Sequence, residues 1–269
     1  MSDQPIQVPT LQAVRFHRPI ASGRTKPCLL ACIDPAGGEH DIVAKFGGPE
    51  LSVTAMVCEL MAALLAQDLG LATPDPVIVR TEGGFHTCVP TEFPESRRRI
   101  EDSQGLNYGS IHLGTGVATW PVGQRVPPEM LSQAADVFAF DAIVMNPDRR
   151  QSNPNLLQRK NVLFVYDHEL AFSFLRSIMP GDDCPWQRGV LSFLGQHVFG
   201  PALRKKPIDW QQRLERFARL PDRRLASYVA AVPPAWDPGE RTARRIVDYL
   251  IRVRGHVDDL ALNLTEVLA

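Results

Sequence analysis

The chain opens with short apolar runs separated by turn residues. Residues 14–19, 28–33 and 41–46 read as three strands, divided by polar segments at 21–27 and 34–39 that are rich in Ser, Gly, Pro and Asp. Gly47-Gly48-Pro49 breaks the third strand. Over 51–69 the apolar residues Val53, Met56, Val57, Leu60, Leu64 and Leu65 then take helical spacing. Gly70, Pro74 and Pro76 stop that helix. Residues 77–79 and 85–89 predict further strands, and 90–107 a charged loop or short irregular helix. In the second half Pro127-Pro128-Glu129 opens a helix whose buried face carries Leu131, Ala135, Phe138, Ala142 and Ile143. Residues 156–157 and 162–166 predict a hairpin about Arg159-Lys160-Asn161. Helical stretches come next at 187–199, 208–219, 222–231 and 239–266, while residues 1–12 predict a polar tail or an edge strand. The pattern predicts an α+β fold, with a small sheet-rich lobe over 1–115 and a larger helical lobe over 116–269.

Composition narrows the class. At 269 residues the chain is long enough for one large two-lobed domain or two small ones. Hydrophobic residues at 44% and charged residues at 22% are ordinary for a soluble globular protein. A net charge of −1 gives no global basic field, which excludes direct nucleic-acid binding as the leading reading. Arg97-Arg98-Arg99, Arg204-Lys205-Lys206 and Arg223-Arg224 are local clusters that suit a solvated surface. The five cysteines (Cys28, Cys32, Cys58, Cys88 and Cys184) are odd in number and form no C-x-x-C pair. That argues against zinc and for reduced thiols in a cytoplasmic protein. No apolar run of 18 residues is present, so no membrane span is expected. The polar start lacks the basic-then-apolar pattern of a secretory signal.

Candidate chemistry concentrates in 140–172. Two polar clusters, Asn146-Pro147-Asp148-Arg149 and Asp167-His168-Glu169, each come after an apolar run, and Asn153 lies five residues after Asp148. An Asp, an Asn five residues on and a second Asp after a short strand form the polar core of a phosphoryl-transfer site. There the first Asp accepts the acceptor's hydroxyl proton, and the Asn and second Asp hold magnesium. Magnesium is hard and takes carboxylate and amide oxygens beside substrate phosphates, which suits Asn153 and Asp167. Each cluster alone also suits a structural role, a turn for Asn-Pro-Asp and a helix cap for Asp-His. Arg149 could brace the loop by pairing with a carboxylate.

The N-terminal half offers the other parts. A short polar loop holds Ser22, Gly23, Arg24, Thr25 and Lys26. Its hydroxyls, close backbone N–H groups and cations suit nucleotide phosphate, although a plain hairpin turn explains it equally well. Lys45 in I-V-A-K-F sits near the pattern of a phosphate-binding strand lysine. Glu59, with no other acidic residue between Glu50 and Asp68, sits where a partner helix would supply its carboxylate. An exposed strand end and a solvent-facing helix position remain the plain alternatives.

The run F-D-x-x-x-x-N-x-D-R-x-x-x-N-P-N-L-L, then V-x-D-H-x-L-A-F, resembles the HipA-like kinase family, and in particular its shorter stand-alone branch. The resemblance is strongest over 136–174 and fair over 14–71. It implies a two-lobed protein-kinase-like fold and ATP- and Mg2+-dependent transfer to a hydroxyl acceptor, a protein Ser or Thr by analogy. A lipid or small-molecule acceptor, and a pseudokinase or nucleotide-dependent interaction module, are the alternatives. It also implies that the backbone of His112 and Leu113, up to Gly114, reads the adenine edge, and that Ser22 matches a position open to autophosphorylation. Two residues depart from the family's usual pattern: Arg150 stands where members often carry His, and Glu169 where they often carry Gly. The second departure removes the backbone freedom of a mobile Asp-Phe-Gly-like switch.

Overall fold

The computed structural model describes residues 6–20, 23–177 and 183–269. Five strands, β1 (Thr10–Pro19), β2 (Cys28–Ile33), β3 (Glu39–Lys45), β4 (Pro76–Thr81) and β5 (Gly105–Ile111), close into a barrel in the order β1-β2-β3-β5-β4. Neighbours are antiparallel except at the closure, where β1 runs parallel to β4 from Thr10 opposite Ile78 to Gln12 opposite Arg80. Register shifts in β1 after Ala13 and after Phe16 bend the strand, so one end pairs with β4 and the rest with β2. Leu11, Leu30, Ile42, Val77 and Val79 fill the interior with Phe85 and Ile100. Gly109 of β5 lies over this filling. A Cβ there would stand 2.5 Å from Val79 Cγ2 and 2.8 Å from Ile42 Cγ2, so the strand needs the residue without a side chain.

Helix α1 (Val53–Leu69) comes after β3. Ser52 caps it, its hydroxyl accepting from the Ala55 N–H at 3.2 Å. Gly70 ends it in the left-handed region at φ 77. Every residue from Ala55 to Ala66 is buried, as expected of a helix that is apolar all round. Its side chains belong to the large apolar cluster of the helical part, not to that of the barrel. That cluster also takes in α3 (Leu131–Ile143), α5 (Trp210–Ala218), α6 (Asp222–Ala230), α7 (Gly239–Gly255) and α8 (Val257–Val267). Further ties run from the N-terminal elements to the helical part. Asp68 accepts from Arg224 at 2.6 and 2.8 Å and from the Tyr228 hydroxyl at 2.7 Å. The Trp236 indole donates to the Leu106 carbonyl at 2.7 Å. Strands β6 (Ala118–Thr119), β7 (Leu156–Arg159) and β8 (Val162–Val165) form a small separate sheet.

The architecture is the expected α+β one, a sheet-rich N-terminal part and a helical C-terminal part, with four local differences. Residues 85–89 form no strand; Phe85–Cys88 is a single 3-10 turn, entered through Gly84 at φ 94. The barrel is already closed by β5, so no free strand edge awaits that segment, and Phe85 instead anchors the turn in the barrel core. Residues 90–107 hold a regular helix, α2 (Pro94–Asp102), and the start of β5. The helix expected over 187–199 is instead a 3-10 stretch (Val190–Gln196), entered through Gly189 at φ 87 and weakened by Gly195, and the four-residue α4 (Gly200–Leu203) comes after it. The long helix over 239–266 is split into α7 and α8 at Gly255-His256. All five cysteines are free thiols. Among the described residues no helix is long and apolar enough to cross a membrane.

Candidate active site

Helix α3 carries Asp141 on its buried side in the last turn, and that carboxylate is fully buried. A buried charge must be paired or it costs several kcal/mol. Arg149, six residues beyond the helix end and equally buried, turns back to it with Nε at 2.6 Å and a second nitrogen at 3.3 Å. His197 Nε2 lies 3.0 Å from the same carboxylate, and the Asn146 amide donates to it at 3.1 Å. Burial would raise the Asp141 carboxyl, but Arg149 and His197 outweigh it and hold it below the usual range. The guanidinium also donates to the carbonyls of Asn155 and Tyr166. One side chain thus ties α3 to both ends of the β7–β8 hairpin.

This brace shapes the loop that carries Asp148. The Asp148 N–H donates to Asn146 Oδ1 at 3.1 Å. Its carboxylate accepts from Arg150 at 2.8 Å through one oxygen, and from Asn153 at 2.9 Å and Asn155 at 3.0 Å through the other. Asn155 adopts φ 48, a left-handed backbone that Asn tolerates.

Asp167 leaves β8 with φ 60, and Phe172 lies further on at φ 52. A bulky residue rarely holds that conformation; such strain gathers at functional sites. At Asp167 the chain meets the barrel. Lys45, at the end of β3, is bonded to both Glu59 of α1 and Asp167, with Glu169 at 3.7 Å. The second Glu59 oxygen accepts from the His168 N–H at 2.9 Å. Burial would lower the Lys45 ammonium, but Asp167, Glu59 and Glu169 more than offset it and hold it well above its ordinary value. Burial pushes Glu59 up to about 7 against the pull of Lys45. Asp167 is driven up by burial and brought below the usual range by Lys45. His168, buried beside Arg149, falls to about 3 and stays neutral.

These groups line one cleft of about 580 Å³ between barrel and helical part, a size that suits a small-molecule or cofactor ligand. It brings together Gly23, Arg24, Thr25, Lys45, Glu59, His112, Asp148, Asn153 and Asp167 among the expected residues. Arg24 reaches across it to Glu169 at 2.9 Å. Lys26 is turned to the surface, paired with Glu95 of α2 at 2.6 Å. Arg149 braces from behind and does not line the cleft. His112 is at the rim. Its N–H is donated to the Asp41 carbonyl at 2.8 Å, and the Leu113 carbonyl accepts from Arg159. Ser22 lies outside the described residues. Sequence reasoning passed over Asp141, Asn155 and His197. Asp141 had a signal, a carboxylate flanked by Phe140, Ala142 and Ile143 eight residues before an arginine; His197 had none, because its contact spans 56 residues.

A family model described as HipA-like kinase matches residues 13–256. Among solved structures, the crystal structure of a Helicobacter pylori proinflammatory kinase, CtkA, is similar at a TM-score of 0.56 and 11% identity. The match covers 97% of this chain and 99% of that one, which shows a shared fold. The Golgi casein kinase with Mn/ADP bound aligns at a TM-score of 0.45 and 11% identity, over 96% of this chain and 73% of that one. No curated protein matches the chain.

Proposed function

The chain belongs to the HipA-like kinase family, and on that premise we propose that it is an ATP- and Mg2+-dependent phosphotransferase acting on a hydroxyl group, a protein Ser or Thr by family analogy. The observation that carries the proposal is the meeting of Lys45, Glu59 and Asp167 in the cleft that Asp148 and Asn153 also line. Those five residues come from β3, α1, the loop after α3 and the end of β8. A turn or a helix cap would not require them to share one cavity.

In this reading Lys45 holds the nucleotide phosphates and Glu59 fixes the lysine. Gly23, Arg24 and Thr25 close over the phosphates, and Lys26, on the surface, contributes to the field only. Asp148 faces the acceptor. It takes the hydroxyl proton as the acceptor oxygen bonds to the γ-phosphorus, the bond to the β–γ bridging oxygen breaks, and ADP leaves. Arg149 keeps the loop in register by holding Asp141. The donor set fits a magnesium ion: Asp167 offers a carboxylate, and Asn153, which donates to Asp148 through its nitrogen, offers its amide oxygen. When bound, the ion neutralises charge on the transferred phosphoryl group. The rim at His112 and Leu113 reads the base.

The test is incubation with ATP labelled at the γ-phosphate, with and without Mg2+, beside Asp148→Ala. Label on the protein or on added acceptors, lost without Mg2+ and reduced at least a hundredfold in the variant, is the expected result. Absence of both label and Mg2+-dependent nucleotide binding would overturn it. One observation favours a second reading, a nucleotide-dependent interaction module: Glu169 engages Arg24 and lies beside Lys45, the two cations assigned to phosphate. Nucleotide binding unaffected by Mg2+, with no turnover, would select that reading.

A further inference from the structure

Glu169 faces the cleft, yet its side chain is only 7% exposed. One oxygen accepts from Arg24, a residue 145 positions away. The other, Oε2, has no hydrogen-bond partner among the described residues, and Lys45 Nζ lies 3.7 Å from it. Glu169, Asp167 and Glu59 each present a carboxylate oxygen within 4.8 Å of the others. Glu59 is committed on both sides, to Lys45 and to the His168 N–H. Of these three, Asp167 and Glu169 are left to face the cavity.

Arg24 and Lys45 are the cations that phosphate would claim in the proposed phosphotransfer, on which this inference rests. Once phosphate takes them, Glu169 is left as a buried carboxylate without a counter-charge beside incoming negative charge. That arrangement is costly. The carboxylate must either expel the phosphates or receive another cation. Its orphaned oxygen, next to that of Asp167 and with no sulfur or imidazole ligand in the set, suits a hard divalent ion. We propose that Glu169 is a third metal ligand, binding a divalent cation together with Asp167 in the nucleotide-loaded cleft and exchanging Arg24 for that ion as nucleotide enters. Glu169 thereby makes nucleotide binding conditional on metal.

ADP and Mn2+ are the probes, with the affinity for Mn2+ read by electron paramagnetic resonance at saturating ADP and the ADP affinity read by calorimetry. In the wild type, Mn2+ strengthens ADP binding a hundredfold or more. In Glu169→Gln, ADP binds more tightly than in wild type when metal is absent, and the Mn2+ affinity of the ADP complex drops at least tenfold. Glu169→Gly does the same. A Glu169→Gln protein that binds ADP but holds Mn2+ within twofold of wild type overturns this inference alone. A wild type that binds no ADP, with or without Mn2+, overturns the phosphotransfer reading and this inference together.

Discussion

Arg149 has no solvent exposure on its side chain, and its one full counter-charge, Asp141, has none either. Such a pair adds little net stability over an apolar core, but removing one partner strands the other. Arg149→Ala is expected to destabilise the fold by about 3–5 kcal/mol, measured by urea denaturation. Glu59 gives a second prediction, on pH. Folded Glu59, raised from 4.5 to about 7 by burial, holds its proton more tightly than the unfolded chain does. Its contribution to stability therefore falls as pH rises through that window. Buried His168, lowered from 6.5 to about 3, works the other way: the unfolded chain takes the proton first, so its contribution is lost as pH falls below 6.5. Between about pH 4.5 and 6.5 the two slopes oppose each other. Glu59→Gln removes one of them, so its melting temperature falls more steeply from pH 7 to about pH 5 than that of wild type. An unchanged slope would count against the raised Glu59.

At the scale of elements, α1 carries the site. It holds Glu59 against Lys45, and it is fixed at both ends by local chemistry, Ser52 before it and Gly70 after it. Gly70 has a double constraint. Its φ of 77 is left-handed, and a Cβ would stand 1.7 Å from the Arg216 guanidinium, which itself bonds to the Leu69 carbonyl at 2.8 Å. Gly70→Ala is therefore expected to cost about 1–2 kcal/mol in chemical denaturation, from left-handed strain and the displaced arginine. The same helix shows how far a pattern can be read. Its apolar spacing announced a helix, but an almost wholly buried surface does not say which neighbour covers which face.

At the scale of the molecule, α1 packs into the core of the helical part while its lysine partner belongs to the barrel. Arg24–Glu169, Asp68–Arg224 and Trp236–Leu106 add links across the chain. The barrel and the helical part are accordingly expected to melt in one transition. A nucleotide with its metal bridges the same cleft. At a hundred times its dissociation constant it stabilises by about 2.7 kcal/mol, which raises the melting temperature by roughly 5–10 °C for a chain of this size. Differential scanning calorimetry with and without Mg2+ and ADP checks both points. Two transitions, or no shift with ligand, would contradict them.

The sequence by itself determined the elements whose signals are local: three N-terminal strands, a capped helix, the β7–β8 hairpin, and the fixed spacing of Asp148, Asn153 and Asp167 along one stretch of chain. Backbone propensity, turn chemistry and short-range spacing act within a few residues, so they are legible in one dimension. The tertiary structure alone decided that 85–89 is a turn, since a closed barrel offers no edge for it. It alone paired Asp141 with Arg149 and His197, turned Lys26 away to Glu95, and put Glu169 between Arg24 and Lys45. Those outcomes depend on which charges end up buried together. A charge meets its partner only after chain closure has brought distant segments within a few ångströms, and the cost of leaving it unpaired then selects the arrangement.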